Sequence, residues 1–118
     1  MDDNGSVNPA WLVRSGDVLA SVNVTETRRE RRRGLVGVRE VETPLVIRPC
    51  NWVHGVGIRS QLDVAYVADD GTVLDVVHLK PMRVAPWNRR AGYVVEAAAG
   101  SFERWGLRPG DRIEVREP

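Results

Sequence analysis

The chain has very little cysteine and no long apolar run. Cys50 is the only cysteine among 118 residues, so no disulfide can form within the chain and the fold must rely on its core. No apolar stretch approaches the roughly 20 residues needed to cross a bilayer. Met1–Pro9 carries charged and polar residues where a signal peptide needs an apolar segment. We therefore expect a cytoplasmic protein that does not contact a membrane.

Charge of one sign is not in excess either. Seventeen basic residues face sixteen acidic ones, a formal net charge of +1. Dedicated nucleic-acid-binding domains are usually strongly basic. We therefore do not expect nucleic acid as a partner, and a protein or a small-molecule ligand is left as the candidate partner.

Residues suited to metal binding and nucleophilic catalysis are also scarce. The two histidines, His54 and His78, together with Cys50 and scattered carboxylates, lack the spacing of a metal site. Cys50 follows a proline and has no glycine-rich elbow or helix start that would lower its pKa. No serine lies in a nucleophile motif. The sequence therefore predicts no cofactor, no metal and no identifiable catalytic residue.

What the sequence does contain is strand patterning. The apolar residues of the first predicted strand fall at every second position, as is typical of one buried face: Val18, Ala20, Val22 and Val24. Two valine-rich runs between Leu62 and Leu79 flank an Asp-Asp-Gly turn and predict a β-hairpin. Further short strands are predicted at residues 44–47, 93–97 and 112–116. The fold class is therefore mainly β (α+β), a small barrel-like or rolled, mostly antiparallel sheet with one or two short helices.

Two short helices are predicted from their ends. Thr27 and Glu30 have the spacing of a capping box, which predicts a helix over Arg28–Arg33. Ser101 is a suitable cap for a single helical turn that ends at Gly106. Residues 1–15 contain no sustained period beyond a short apolar anchor and are predicted to be flexible, which leaves residues 16–118 as a single domain.

The stretch Cys50–Val64 resembles the signature strand of the domain-of-unknown-function 192 (DUF192) family. The surrounding features follow in the family's order: a Glu-Arg helix ending in Gly-Leu, an Asp-Gly hairpin, a proline-bearing loop, a strand ending in Glu and Ala-Gly, and a terminal Gly-Asp turn. The matching residues here are Glu30, Arg31, Gly34, Leu35, Asp70, Gly71, Pro81, Glu96, Ala99, Gly100, Gly110 and Asp111. The resemblance covers Val18–Val115 and implies a small, mostly β fold with short helices and no assigned activity.

The ligand-binding candidates lie around this signature: His54, Arg59, Asp63 and His78. On a regular strand Arg59 and Asp63 point to one face and His54 to the other, unless Gly55 or Gly57 introduces a bulge. An alternative interpretation makes Asp63 a structural acceptor of hydrogen bonds from a neighbouring turn.

Three functional hypotheses remain open. The first is a non-catalytic binding or accessory module that presents Arg59, Asp63 and the Pro81–Arg90 loop, whose partner-binding candidates are Trp87, Arg89 and Arg90. The second is a small metal-dependent hydrolase that uses His54, His78 and Asp63. The third is phosphate or nucleic-acid contact through the Arg28–Arg33 helix, with Arg28, Arg29 and Arg32 as the candidates.

Overall fold

A computed structural model describes residues 8–53, 55 and 57–118, and His54 therefore lies outside the described residues. Its elements in chain order are β1 (Pro9–Arg14), β2 (Asp17–Val24), α1 (Arg28–Arg33), β3 (Leu45–Ile47), β4 (Leu62–Val67), β5 (Val73–Leu79), β6 (Tyr93–Ala98), α2 (Ser101–Trp105) and β7 (Glu114–Arg116). The predicted mainly β class with two short helices is confirmed. In the part of the chain described, neither helix is long or apolar enough to span a bilayer.

The seven strands form one rolled sheet in the order β5-β4-β6-β3-β2-β1-β7. Neighbouring strands are antiparallel except β2 and β3, which are parallel. The two edge strands approach each other at an isolated bridge between Thr72 and Arg112. Among the described residues this bridge and a few backbone hydrogen bonds beside it join the edges, so the sheet is rolled without being closed by a continuous ladder.

Both faces of the central strands are buried, each in its own apolar cluster. Ala65 of β4 and Val95 of β6 belong to the cluster that also holds Phe102 of α2. Val64 and Val94, their neighbours in sequence, belong to a second cluster on the opposite face, beneath the segments outside the sheet. This alternation follows from the two-residue period of a strand, and it determines which face each polar side chain of β4 and β6 reaches.

The hairpin and the first helix have the predicted ends. β4 and β5 pair antiparallel around the loop that contains Gly71, whose φ is +95°. At the start of α1 the Thr27 hydroxyl accepts a hydrogen bond from the Glu30 amide at 3.0 Å, and the Glu30 carboxylate accepts one from the Thr27 amide at 3.2 Å. The capping box is therefore confirmed, and α1 ends at Gly34.

Three local predictions differ from the structure. Pro9–Arg14 forms strand β1 within the segment predicted to be flexible, because Ala10 and Leu12 alternate into the core. Val18 is exposed, because it stands at the start of β2 next to the turn from β1. Ser101 makes no capping bond from its side chain. It is the first residue of α2, and Gly100 occupies the cap position.

Gly71 provides a test of how closely the two sheet edges approach. A Cβ atom added at Gly71 would lie 2.3 Å from the backbone oxygen of Ile113, whereas one added at Gly110 would meet nothing within 4 Å, and both residues have a φ of +95°. Both alanine variants share the strain of a positive φ. We expect Gly71→Ala to lower the free energy of unfolding by about 2 kcal/mol more than Gly110→Ala does, measured by urea denaturation. Equal losses would mean that the edges are free to move apart.

Candidate functional site

The main candidate site is built around Glu96, a carboxyl in the middle of the sheet. Glu96 lies on β6, opposite Leu45 of β3 and Val64 of β4, and only 2% of its surface is exposed. Its position in the strand points it to the same face as Val94. Its Oε1 atom has no hydrogen-bond partner among the described residues. Burial raises the pKa of Glu96 to about 7, because the ionised form loses its hydration.

The end of α1 covers this carboxyl. A Cβ atom at Gly34 would lie 3.3 Å from Glu96 Oε1, closer than ordinary van der Waals contact, and Gly34 also has a φ of +50°. The glycine therefore lets the chain turn at the end of α1 directly above the carboxyl. The residues that follow it, Leu35 and Val36, continue the cover.

A cavity of about 290 Å³ lies between α1, the residues that follow it, the segment at residues 50–53 and the sheet. We call it the Glu96 cavity. Its apolar wall consists of Leu35, Val36, Ile47, Val53 and Ile58, and its remaining lining comes from Arg28, Arg31, Arg32, Arg33, Gly34, Cys50, Trp52 and Glu96. A mostly apolar space with a few polar groups is the usual composition of a small-molecule site.

Cys50 and Trp52 form one side of the Glu96 cavity. The Cys50 thiol donates a hydrogen bond to the Trp52 carbonyl at 3.2 Å, and the Trp52 indole donates one to the Ala85 carbonyl at 3.1 Å. Burial raises the pKa of the Cys50 thiol, a backbone hydrogen bond with Trp52 opposes this rise, and the charge of Glu96 adds to it. Cys50 is thus a neutral thiol at pH 7, and it is a poor nucleophile.

Asp63 and His78 come together on the opposite face of the sheet from Glu96. The Asp63 Oδ2 atom accepts hydrogen bonds from the amides of Gly100 at 3.0 Å and Phe102 at 3.1 Å, at the start of α2. His78 Nδ1 lies 3.5 Å from Asp63 Oδ1, and its Nε2 lies 2.6 Å from Gln61 Oε1. Asp63 therefore has the structural role that the sequence offered as its alternative interpretation.

The segment before β4 is irregular where it is described, so strand alternation does not apply to Arg59. Arg59 is exposed, and the strand begins only at Leu62. Gly55 packs against the loop that follows β5, where its carbonyl accepts a hydrogen bond from the Met82 amide at 2.8 Å. A Cβ atom there would lie 2.6 Å from the Lys80 carbonyl, which explains the glycine. Among the described residues, no three histidine, cysteine or acidic side chains are placed to hold a metal ion.

The loop candidates lie at the surface. Trp87 is 66% exposed, and the Arg89 guanidinium lies 6.0 Å from the centre of its ring. The Arg90 amide donates a hydrogen bond to the Asn88 side chain at 3.0 Å. Of the phosphate-binding candidates on α1, Arg28 and Arg32 line the Glu96 cavity, whereas Arg29 is exposed outside it.

Glu96 itself was not among the candidates predicted from the sequence, where it entered only as one element of the family resemblance. A signal was present. Glu96 is the single charged residue in the run Tyr93–Ala98, which otherwise consists of Tyr, Val and Ala and is buried almost throughout. A charged residue in the middle of a central strand must be accommodated by a partner, a shifted pKa or a ligand.

Comparison with known proteins agrees with this architecture. The profile of the DUF192 family, described as "Uncharacterized ACR", matches residues 11–115. A UPF0127 protein of Pyrococcus furiosus is 37% identical over 71 residues, which are 60% of this chain and 61% of that protein. A UPF0127 protein of Pyrococcus abyssi is 31% identical over 62 residues, 52% of this chain and 53% of that protein. The chain thus spans less than two thirds of the length of either relative.

Two solved structures share the fold. A protein of unknown function from Novosphingobium aromaticivorans superposes with a TM-score of 0.75 at 20% identity, over 92% of this chain and 84% of that one. A candidate transcription regulator from Sinorhizobium meliloti gives a TM-score of 0.75 at 24% identity, over 92% of both chains. At these identities the likeness concerns the fold alone.

Proposed function

The chain belongs to the uncharacterised DUF192 family, and we propose that it is a non-catalytic binding module that holds a small organic molecule in the Glu96 cavity. The observation that carries this proposal is the buried Oε1 atom of Glu96, which lies at the cavity and has no hydrogen-bond partner in the part of the chain that the structure describes. A buried polar atom without a hydrogen bond lowers the stability of the folded protein by about 1–3 kcal/mol. A ligand that hydrogen-bonds to this atom removes that cost.

The shape and lining of the cavity support the same proposal. Its volume of about 290 Å³ suits a molecule of one or two rings or a short branched chain. The wall that includes Leu35, Ile47 and Val53 offers apolar contact to the body of such a molecule. Glu96 and the Cys50 thiol are polar groups of the lining, and hydrogen bonds to them would set the ligand's orientation.

The Pro81–Arg90 loop remains a proposed contact for a protein partner. Trp87 and Arg89 have the aromatic and cationic character of interface anchors, and both are exposed. The loop also touches the side of the cavity, since the Ala85 carbonyl accepts the Trp52 indole hydrogen bond. A partner bound to the loop would therefore be placed to sense whether the cavity is filled.

The binding proposal is tested with 2-naphthol, a neutral probe with an apolar body and one hydroxyl group. Cys50 is the only cysteine of the chain, so its alkylation by iodoacetamide at pH 8 reports on one wall of the cavity. We expect 2-naphthol to slow the alkylation in a saturable manner and to shift the NMR signals of the Gly34 and Leu35 amides. Glu96→Leu removes the hydrogen-bonding carboxyl and should weaken the binding about fivefold.

Alkylation of free glutathione in the presence of 2-naphthol is the control for an effect on the reagent. An unchanged alkylation rate at high probe concentration, together with amide shifts confined to other parts of the chain, would contradict the proposal.

A further inference from the structure

The arginines of α1 differ in whether they line the Glu96 cavity. Four of the five line the Glu96 cavity: Arg28, Arg31, Arg32 and Arg33. Arg29 does not. Within residues 8–53, 55 and 57–118, the ion pairs of the structure include no arginine of α1. Four arginine residues therefore line one small cavity, and none of them forms an ion pair with the described side chains.

The positive charge of the α1 arginines acts on groups inside the cavity. Arg31 is only partly exposed, and its charge acts on the Cys50 thiol by lowering its pKa, against the larger effect of burial. Glu96 is a carboxyl of the cavity lining, and the ion pairs of the described residues do not include it. A negative group entering the cavity would thus meet arginine charge in partly desolvated surroundings, where charge-assisted hydrogen bonds are strong.

We infer that the ligand of the Glu96 cavity is an organic anion with an apolar body, whose carboxylate or phosphate group is bound by the arginines of α1. The inference rests on the proposed binding function and adds the charge and orientation of the ligand. Its anionic end lies toward Arg31 and Arg32, its body lies against the apolar wall, and a polar group at the other end meets Glu96. Guanidinium groups suit both anions, because they form paired hydrogen bonds with carboxylate and phosphate oxygens.

Three probes with one ring system test this assignment. The neutral probe is 2-naphthol, 6-hydroxy-2-naphthoate adds a carboxylate at the far end, and 6-hydroxy-2-naphthyl phosphate adds a phosphate there. We expect at least one of the anions to bind about tenfold more tightly than 2-naphthol by isothermal titration calorimetry, since it gains charge-assisted hydrogen bonds. The anion with the larger gain identifies the head group.

Two variants of the same helix show where the gain arises. Arg31→Gln should remove most of the gain of the anionic probe, with the gain measured against the affinity of the same variant for 2-naphthol. Arg29→Gln removes the same charge outside the cavity and should preserve the gain. Equal losses in the two variants would overturn the inference, because they would indicate general attraction of anions to α1.

The outcomes also separate this inference from the binding proposal. If 2-naphthol binds at the Glu96 cavity and neither anion binds more tightly, the cavity is a binding site but the ligand is not an anion. If no probe protects Cys50, both the inference and the binding proposal fail.

Discussion

Glu96→Gln is expected to stabilise the protein by about 3 kcal/mol at pH 8, and to change its stability little at pH 4. Burial raises the pKa of Glu96 from its ordinary value of 4.5 to about 7 in the folded state. This pKa difference between the folded and unfolded states corresponds to about 3 kcal/mol of folding free energy, at about 1.4 kcal/mol for each pKa unit. Glutamine has the shape of the protonated carboxyl and cannot ionise, so the variant avoids this loss of stability.

The sign of the effect follows from proton binding. Because burial disfavours the ionised form, the folded protein holds the Glu96 proton more tightly than the unfolded chain does. The stability associated with this group is therefore fully present below pH 4.5 and is lost as the pH rises to about 7. Above that value the folded protein must carry a buried carboxylate.

Urea denaturation between pH 4 and pH 8 checks this expectation through the difference between the variant and the wild type. Other carboxyl groups contribute equally to both proteins and cancel. Asp75→Asn is the control, because Asp75 is exposed on β5 and its replacement should give a difference that does not depend on pH in this way. A Glu96→Gln difference that stays constant across the range would show that Glu96 ionises as freely in the fold as in the unfolded chain.

Asp63→Ala is expected to lower the free energy of unfolding by about 3 kcal/mol at pH 7. Two backbone amides at the start of α2, those of Gly100 and Phe102, donate to one oxygen of this buried carboxylate. Removing it leaves both donors without their acceptor, and each unsatisfied buried donor costs about 1–3 kcal/mol. Because Phe102 packs in the same cluster as Val95, loosening α2 would also loosen the core beneath it.

Two further alanine variants make this measurement specific. Ser101→Ala should cost less than about 1 kcal/mol, since the Ser101 side chain makes no capping bond to α2. Asp75→Ala removes an exposed aspartate from the neighbouring strand and should stay within about 0.5 kcal/mol of the wild type. If Ser101→Ala were as destabilising as Asp63→Ala, the serine would be the functional cap, contrary to the observed hydrogen bonds.

Local sequence signals predicted the elements of this fold well, but they did not predict the connections between distant residues. The capping box of α1 and the hairpin around Gly71 depend on residues close in the chain, and both appear where they were expected. The cap of α2 is different. Its acceptor, Asp63, lies 37 positions from Gly100, so the nearby Ser101 was the only capping residue that a local pattern could offer.

The candidate site was missed for the same reason. Cys50 and the arginines of α1 were noted individually, but only the folded sheet brings them around Glu96. The opposite faces of Asp63 and Glu96 could not be assigned from the sequence, because β4 and β6 are buried on both sides and lack a polar face to mark the direction.

The pairing of β1 with β7 has a consequence for how the molecule is made. Trp11 and Leu12 pair with Arg116 and Val115, so β1 acquires one of its two neighbours only when β7 has been synthesised. Until then β1 has an open edge that can pair with another nascent chain. Contacts this distant in sequence also slow folding. Chains that stall or are cleaved just before Glu114 should therefore be prone to aggregation even though the Glu96 cavity is already encoded in full.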